Sequence, residues 1–446
     1  MKKILTLILC GMTTAGFAQK VLTLEECLQL AKQNNRTLQN AALDIQAANE
    51  QNKEVFAKYF PSISANVLAF QTFDKVIKGD GTIPEEIMIL GEQFAPYVGL
   101  PYSIRELTRG YSATLSAVEP IYAGGQIHAG SQLTKIQQDV MILQHQLTEK
   151  DVLQKVTEHY WQIASVKYNI QTIDAAERQL QAVYDQVNQY VKAGVTTRND
   201  LLKVKLHVQE LESNRLKAEN GEHVLRLLLA QEIGLSNQDI DIALNDVEAV
   251  NPETVHVAST DAAAGRIELQ LAGKGVDAQK LQVKMERGKN LPTFAVGLMG
   301  YHTGFGGLSD MVKENMNTTM TNGLVFGTLS VPISSWFGGS HAIRRQKIKL
   351  QQSQNDYLDA QEKLGIDVEA TWSSLLEAYK QIDLAKTSVE EATENLRMST
   401  DQYKVGTETI TDLLDAETLN RQAQDNLSNA KATYQIRLAD YLRKVK

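Results

Sequence analysis

Two aspartates near the carboxyl end of the chain have the spacing that points most directly to a chemical role. Asp412 and Asp415 are three residues apart in a segment that reads as helix, which puts both carboxylates on one helical face. Carboxylates held close together raise each other's pKa. Asp412 has a second interpretation, because Thr409-Ile-Thr-Asp412 has the form of a capping box after a glycine turn. Asp415 lies too far into the helix to cap it, and its alternative is an ordinary solvated position.

The rest of the chain carries no signature of catalysis or cofactor binding. Its eight histidines are scattered, and none forms an HExxH motif or pairs with a cysteine. The glycine-rich stretch 304–307 lacks the lysine and hydroxyl residue that complete a phosphate-binding loop. The formal net charge of −8 disfavours nucleic acid as a partner. We therefore expect neither an enzyme nor a metal or cofactor site.

The capping segment belongs to a module that the chain contains twice. Three stretches return in the same order with related sequence: 38–61 as 269–292, 119–125 as 331–339, and 194–202 as 406–414. The last pair reads GVTTRNDLL and GTETITDLL. Matches in this order predict a duplicated helix–strand–strand–helix module. The two copies differ at one informative position, because the counterpart of Asp415 is Lys203.

The predicted domain organisation follows from this repeat. Residues 1–18 read as a signal peptide, because Lys2 and Lys3 precede a short apolar stretch and a small-x-small cleavage site. The remaining predicted boundaries are a first repeat at 19–231, a linker at 232–260 and a second repeat at 261–446. The protein is therefore expected to leave the cytoplasm.

The two cysteines predict no disulfide within the chain. Cys10 falls in the predicted signal peptide and Cys27 is then alone. Cys10 could serve as a lipid-attachment cysteine, but Leu9 before it is bulkier than such processing sites prefer. Cys27 reads as a small apolar residue on a helix face.

Four segments alternate as β-strands do: Ser62–Phe73, Tyr111–Glu119, Thr293–Thr303 and Asn322–Val331. Each has the length of a tilted membrane-spanning strand, ~9–11 residues. In the third segment Phe294, Val296 and Leu298 share one face, and small residues occupy the other. This pattern suits lipid outside and water inside, and a soluble sheet with one buried face has the same pattern.

Prolines and polar stretches are expected to bound these strands. Pro61 and Pro292 are expected to precede strands, and Pro120 and Pro332 to follow them, because proline is tolerated at strand ends. Two stretches read as the loops that join the strands of each pair: 74–110 and 304–321.

Most of the remaining chain is predicted to be helical. Gln126–Tyr190 and His341–Tyr403 lack proline and would each be ~95–100 Å long as straight helices. Their apolar residues recur at heptad spacing, which predicts coiled-coil packing. Each long helix ends at a glycine, Gly194 or Gly406. The other predicted helices are Thr197–Leu229, Thr409–Leu442, Leu24–Lys58 and Ala262–Lys289.

Four strands are too few to close a barrel in a membrane, where the smallest barrels have eight. An open sheet in lipid would leave backbone groups unpaired at several kcal/mol each. If the strands span a membrane, the barrel must be shared between chains. Two chains would give eight strands and a filled interior, and three would give twelve strands and room for a pore.

At this point the chain resembles the outer membrane efflux protein family, the TolC-like channels. The similarity covers nearly all of the chain after residue 18. Its most specific stretch is YKVGTETITDLLDA at residues 403–416, which is close to the family's second tip motif Y-x-V-G-T-x-T-I-x-D-x-L-D-A.

The resemblance implies a mixed fold and a passive transport function. It implies a homotrimer in which twelve strands form a barrel in outer-membrane lipid, continued by a coiled-coil α-helical barrel in the periplasm. The implied partners are a periplasmic adaptor, or membrane fusion protein, and an inner-membrane pump in a tripartite efflux or type I secretion system. The exported substrate, whether drug, metal or protein, does not follow from the sequence.

The resemblance also assigns roles at the periplasmic tip. Asp412 and Asp415 match two aspartates that form stacked rings at the pore constriction, where rings of carboxylates favour cations. Gly194 and Gly406 match the turns on which the adaptor docks.

The expected lock of the closed tip departs from the family at one position. Tyr403 matches a tyrosine that holds the closed coils together, and Asp200 matches its acidic partner. Glu408 replaces a family arginine, so a salt bridge from this position to Asp200 is impossible, and Arg198 is the candidate replacement. Whether the resting tip is open or closed is left undecided.

One alternative class of function fits the same elements. A periplasmic coiled-coil scaffold with small soluble sheets and no pore would share the heptads and the repeats. The strands distinguish the two, because a scaffold has no need for four segments of membrane-spanning length.

Overall fold

A computed structural model describes residues 20–73, 104–236, 239–244, 249–309, 315–334 and 336–445. The predicted signal peptide with Cys10 lies outside the described residues, and so do 74–103 and 310–314 of the predicted loops. The chain divides into two compact units. The helical unit comprises residues 1–46, 139–274 and 355–446, and the sheet unit comprises 47–138 and 275–354.

The elements of the first half are, in order, β1 Lys20–Leu22, α1 Leu24–Asn34, α2 Arg36–Phe56, β2 Ser62–Gln71, β3 Ile104–Ala123, α3 Gln126–Lys192 and α4 Arg198–Glu232. Those that follow are β4 Ile240–Ile242, α5 Ser259–Gly265, α6 Ile267–Gly288, β5 Thr293–Ser309, β6 Asn315–Ser330, α7 Trp336–Lys404 and α8 Ile410–Val445. Short 3-10 turns occupy Ala57–Tyr59 and Pro252–Val255. None of the described helices has an apolar stretch long enough to cross a membrane.

The sheet unit contains one four-stranded antiparallel sheet in the order β2-β3-β5-β6. The hairpins of the two repeats therefore join through β3 and β5. One row across the sheet aligns Ile63, Ala117, Leu298 and Val325, and the next row aligns Ser64, Ser116, Met299 and Leu324. All four predicted strands are confirmed as strands, but three of them are longer than predicted.

The extra strand length corrects the predicted loops. β3 begins at Ile104, and β5 and β6 take up most of 304–321, so these parts are strand and not loop. Glycine weakens a strand by itself. Here the ring of Tyr111 lies over Gly304 on the neighbouring strand and would collide with a side chain there. Cross-strand packing thus overrides the local preference.

Pro120 was expected to follow a strand, and this prediction is wrong. It lies inside β3, where the register with β5 shifts between Pro120 and Tyr122. A β-bulge tolerates a residue without an N–H donor, which accounts for proline at this point. Pro61, Pro292 and Pro332 flank strands as predicted.

The two predicted short helices are each broken in two, which corrects the predictions of Leu24–Lys58 and Ala262–Lys289. The breaks fall at Asn35 and Arg266, whose backbones are extended with ψ of 124° and 140°. These residues occupy the same position in the two repeats, since Leu38 and Leu269 are counterparts. Both are buried, with 3% and 8% of their surfaces exposed.

Long-range hydrogen bonds hold both breaks. The Asn35 side chain accepts from the N–H of Thr37 at 2.8 Å, which caps α2, and donates to the carbonyl of Glu232 at 2.8 Å. Arg266 pairs with Glu268 and donates to Asp367 at 2.5 Å. A neutral amide and a paired guanidinium therefore serve the same position in the two copies.

The predicted linker at 232–260 contains structure that periodicity did not indicate. β4 pairs in parallel with β1 near the start of the described chain. Leu22, Ile240 and Ile242 of these strands are at most 2% exposed and join a core with α1, α3 and α4. Strands of three residues are too short to give an alternation signal.

The heptad pattern of the long helices is confirmed. Ile163, Ile173, Leu180 and Val187 of α3 are buried, as are Leu375, Ile382 and Leu396 of α7. Schellman-type turns at Gly194 and Gly406 end the two helices, as described below.

Replacing Asn35 with alanine is expected to destabilise the helical unit. The change removes the α2 cap and leaves the Glu232 carbonyl and carboxylate without their amide donor. We expect the free energy of unfolding to fall by about 1–2 kcal/mol, measured by chemical denaturation followed by circular dichroism. Asn40→Ala, at an exposed position of α2, is the matched control. Equal stability of the two variants would contradict the proposed role of Asn35.

Candidate functional site

The two turns of the helical unit that follow α3 and α7 have the same backbone structure. Gly194 and Gly406 have φ of 75° and 78°, a left-handed conformation in which a side chain would be strained. The N–H of Val195 donates to Tyr190 at 2.8 Å, and that of Thr407 donates to Gln402 at 3.0 Å. These bonds end each helix in a Schellman-type turn. We define the tip as the glycine turns at Gly194 and Gly406 together with the first two helical turns of α4 and α8.

A capping box begins each of the helices that leave the tip. The Asp412 carboxylate accepts from the N–H of Thr409 at 3.1 Å and from its hydroxyl at 2.6 Å. Asp200 accepts the same two bonds from Thr197, at 3.2 and 2.7 Å. Of the three predicted site aspartates, Asp200 and Asp412 therefore cap helices.

These hydrogen bonds change the acidity of both carboxylates. The Thr409 hydroxyl and N–H lower the pKa of Asp412 from its ordinary 3.8. The hydroxyls of Thr197 and Thr196 lower the pKa of Asp200 in the same way, and the charge of Lys203 adds to the effect. Both groups are therefore ionised at neutral pH.

Asp415 lies one helical turn beyond Asp412 and is exposed. Asp415 and Asp412 share one face of α8, whereas the intervening Leu413 and Leu414 are each 2% exposed and pack into the core. Asp412 is the carboxylate of this pair that caps the helix. Asp415 is exposed to solvent.

Tyr403 lies near enough to Asp200 for the charge of that carboxylate to act on its hydroxyl. Tyr403 is half-buried against the cluster of apolar residues at the tip. Burial raises the pKa of its hydroxyl, and the nearby negative charge of Asp200 raises it further. The hydroxyl is thus protonated and able to donate a hydrogen bond at physiological pH.

Arg198, the candidate replacement for the family arginine, is exposed at the start of α4. Among the described residues it forms no ion pair with Asp200. One Glu408 carboxylate oxygen is buried and has no hydrogen-bond partner among the described residues. The counterpart of Glu408 in the first repeat is Thr196, which donates to Asp200 at 2.8 Å. An acid at this position cannot make the equivalent bond to Asp412.

Two further residues at the tip were missed by sequence reasoning. Lys203, named only as the counterpart of Asp415, donates to the hydroxyl of Thr411 at 2.9 Å and so connects α4 to α8. Glu417 is 3% exposed, and burial raises its pKa. The sequence did indicate the burial of Glu417, since Ile410, Leu413 and Leu414 precede it at the spacing of a buried helix face.

One face of the sheet is mainly apolar, and the other mixes apolar side chains such as Leu68 and Leu324 with uncharged polar ones. Large apolar residues on one face are between 57% and 79% exposed: Ile63, Val67, Leu115, Leu298, Val325 and Leu329. On the other face, the hydroxyls of Ser64 and Ser116 are hydrogen-bonded at 2.9 Å. Among the described side chains, that second face carries no charge. The described residues contain no cluster of three or more potential metal ligands.

Replacing both capping aspartates by asparagine is expected to loosen the first turns of α4 and α8 in a pH-dependent way. A carboxylate whose pKa is lowered by folding stabilises the folded state above its ordinary pKa of 3.8 and loses this effect as the pH falls through the lowered value. We expect Asp200→Asn with Asp412→Asn to exchange amide hydrogens at the tip several-fold faster than the wild type at pH 7.

The same measurement at low pH provides the check. Hydrogen exchange followed by mass spectrometry should show the difference from the wild type shrinking below about pH 3.8. A difference that is the same at pH 7 and pH 3 would show that the carboxylate charge does not stabilise these helices.

The comparisons with known proteins agree with this arrangement. The sequence pattern of the outer membrane efflux protein family matches residues 85–228 and 258–442. The outer membrane protein TolC of Escherichia coli is 23% identical over 460 residues, which cover 98% of this chain and 85% of that protein.

Solved structures share the fold at low sequence identity. The CmeC outer membrane channel of Campylobacter jejuni is 15% identical and superimposes with a TM-score of 0.74 over 95% of this chain and 85% of that one. The outer membrane protein VceC of Vibrio cholerae is 14% identical with a TM-score of 0.72, over 94% of this chain and 95% of that one. The family match covers most of the chain, and the protein described here belongs to the outer membrane efflux protein family.

Proposed function

We propose that this protein is the outer-membrane channel of a tripartite export assembly, a passive duct across the outer membrane and the periplasm. The observation that carries the proposal is the four-stranded sheet. Its outward apolar face suits lipid, and its edge strands β2 and β6 have no partner strand among the described residues. Three copies that pair these edges would close a barrel of twelve strands with a water-filled interior.

The faces of the sheet favour a membrane pore over the periplasmic scaffold. A soluble sheet buries its apolar face against another layer. Here Ile63, Val67 and Val325 are each more than 70% exposed. The second face also has apolar residues, but it carries the serine, threonine and asparagine side chains that suit an aqueous lumen. A scaffold without a pore gives no reason for this distribution.

Helix α4 supports assembly of several copies. One face buries Val204, Leu211 and Leu229 within the chain. The opposite face exposes Leu202, Leu206, Leu216 and Leu227, each by 49% or more. A helix that is apolar on two opposite faces is normally covered on both. We assign the second face to contacts between the copies of a homotrimer.

The proposed constriction lies at the tip. In a trimer, Asp412 and Asp415 would form two rings of three carboxylates, which favour cations and resist anions. Since Asp412 is held by its cap, Asp415 is the side chain that sets the charge of the opening. Tyr403 and Asp200 are the proposed lock of the closed tip, in which Lys203 and Thr411 take part.

The proposed partners follow from the exposed turns. Val195 and Val405, beside Gly194 and Gly406, are 71% and 74% exposed. Apolar side chains presented on rigid turns suit docking of a periplasmic adaptor. Energy and substrate choice belong to the inner-membrane pump, because the duct has no catalytic part to play.

Asp415→Asn is expected to reduce the cation preference of the pore. Because the described polar face of the sheet carries no charge, the carboxylates at the tip should dominate ion selectivity. Salt-gradient reversal potentials in planar bilayers should show a lower cation-to-anion permeability ratio and weaker block by multivalent cations. Glu390→Gln, at an exposed acid of α7 away from the tip, is the control. Unchanged selectivity in Asp415→Asn would exclude this residue from the constriction.

Leu206→Ser with Leu216→Ser is expected to weaken the trimer. Each leucine buried between copies contributes ~1.5–3 kcal/mol per chain, so the double change should shift the protein toward monomers. Sedimentation velocity in detergent measures the distribution of oligomers. Asn40→Ser, at an exposed position on a different helix, α2, should leave the trimer intact. If the leucine variant remains trimeric at all accessible concentrations, this face does not hold the copies together.

A further inference from the structure

One side of α6, just before β5, is basic. Lys280, Lys284 and Arg287 recur at spacings of four and three residues, which places them on one side of the helix, and all three are exposed. Lys280 forms an ion pair with Asp277 at 2.9 Å. Within the described part of the chain, Lys284 and Arg287 form no ion pair. We call the side of α6 that carries Lys284 and Arg287 the basic face.

The basic face lies between two packed sides of α6. On one side, Gln279 donates to the side chain of Gln346 in α7 at 2.9 Å. On the other, Gly288 approaches the backbone of Gly124, just before α3, so closely that a side chain would collide. The basic face is therefore directed away from the row formed by α7, α6 and α3.

The basic face and the apolar face of the sheet point in the same direction. Met299, whose side chain lies on the other face, directs its carbonyl to β6, since the oxygen lies 3.4 Å from the position that a Gly323 side chain would take. For a strand of L-residues, this orientation places β6 to the left of β5 and β3 to the right when the face with Leu298 is viewed with the helices below. A right-handed helix that rises toward β5, with α7 on its left and α3 on its right, then turns Lys284 and Arg287 toward the viewer.

Under the proposed function, the basic face lies at the level of the lipid headgroups. Apolar side chains remain exposed up to the junction of strands and helices, where Ile121 is 58% and Ile333 76% exposed. Because an α-helix rises ~1.5 Å per residue and α6 ends at Gly288, Arg287 and Lys284 lie about 2 and 6 Å below this end. The interfacial region on each side of the hydrocarbon core is about 5–8 Å thick. Both cations therefore lie within this layer.

Two further cations extend the basic charge over the neighbouring helices. Lys347 follows Gln346, which faces α6, and Lys135 follows Thr134, which donates to Asn52 of α2 at 3.1 Å. In these two descending helices, the residue after the one that faces the right-hand neighbour lies on the outer side. Both lysines are exposed and form no ion pair with the described residues.

We propose that the basic face binds the phosphate groups of anionic phospholipids in the inner leaflet of the outer membrane. The inference rests on the proposed function for the position of the membrane. Ammonium and guanidinium groups bind phosphate through charge-assisted hydrogen bonds, and their long stems can lie along apolar surface. The local positive charge provides an attraction to acidic lipid that the net charge of −8 of the whole chain opposes. A trimer presents three basic faces.

The chain offers two double variants that remove the same charge from different faces. Lys284→Gln with Arg287→Gln neutralises the basic face. Arg345→Gln with Lys349→Gln is the control, because these exposed cations of α7 lie on the side of Gln346 opposite to Lys347 and therefore face the lumen. Native mass spectrometry of the detergent-purified full-length protein, titrated with phosphatidylglycerol or with phosphatidylethanolamine, measures how many lipids each trimer retains.

We expect the wild type to retain phosphatidylglycerol in preference to phosphatidylethanolamine. Each cation near a negatively charged membrane surface contributes about fivefold to affinity, so the α6 variant should bind phosphatidylglycerol about thirtyfold more weakly at low ionic strength. The α7 variant should bind it as the wild type does. Equal loss in both variants would overturn the inference, as would equal retention of the two lipids by the wild type.

Two further measurements separate this inference from its alternatives. If the α6 variant keeps phosphatidylglycerol but no longer binds isolated peptidoglycan, the basic face binds the cell wall and the inference is wrong. Conductance in planar bilayers distinguishes the two proposals. An α6 variant that conducts and retains phosphatidylglycerol as the wild type does overturns this inference alone, whereas a wild type that never conducts overturns the proposed function.

Discussion

The backbone hydrogen bonds at the edges of the four-stranded sheet are the constraint on which the rest of the protein depends. In lipid, each unpaired backbone group costs several kcal/mol. A sheet with an apolar exterior, whose two edge strands have no partner in the described part of the chain, therefore cannot remain single. Pairing β2 of one copy with β6 of the next satisfies both edges at once. The second apolar face of α4 points to the same requirement in the helical unit. Assembly of several copies therefore provides the strand pairing of the sheet and the packing of α4 that one chain lacks.

Sequence periodicity predicted the elements that depend on local pattern. The heptads of α3 and α7 and the alternation around Phe294 and Leu298 identified long helices and membrane-like strands. The outer parts of β5 and β6 were missed, because glycine, asparagine and threonine read as loop in isolation. Rings that lie over glycines on neighbouring strands, as Tyr111 does over Gly304, make these residues suitable for a sheet. Such pairing is visible only once the register is known.

The helix breaks at Asn35 and Arg266 show the same limit. Asn35 has no glycine or proline nearby to signal the end of a helix, and the single Gly265 before Arg266 was not recognised as one. Both breaks are held by partners far away in sequence, Glu232 and Asp367. The alignment of the two repeats places Asn35 and Arg266 at the same position, but this correspondence alone does not predict a helix break. At the tip, duplication was more informative. The capping interpretation of Asp412 is confirmed and extends to its counterpart Asp200, whereas the link from Lys203 to Thr411 depends on the packing of α4 against α8.

The central claim is that several copies of this chain share one pore through the outer membrane. Single-channel recording of the purified wild-type protein in a planar lipid bilayer tests it most directly. A shared barrel with a narrow, acidic tip predicts discrete steps of uniform, small conductance with a preference for cations. Protein that is fully folded by circular dichroism, stays soluble without detergent and never conducts would contradict the claim.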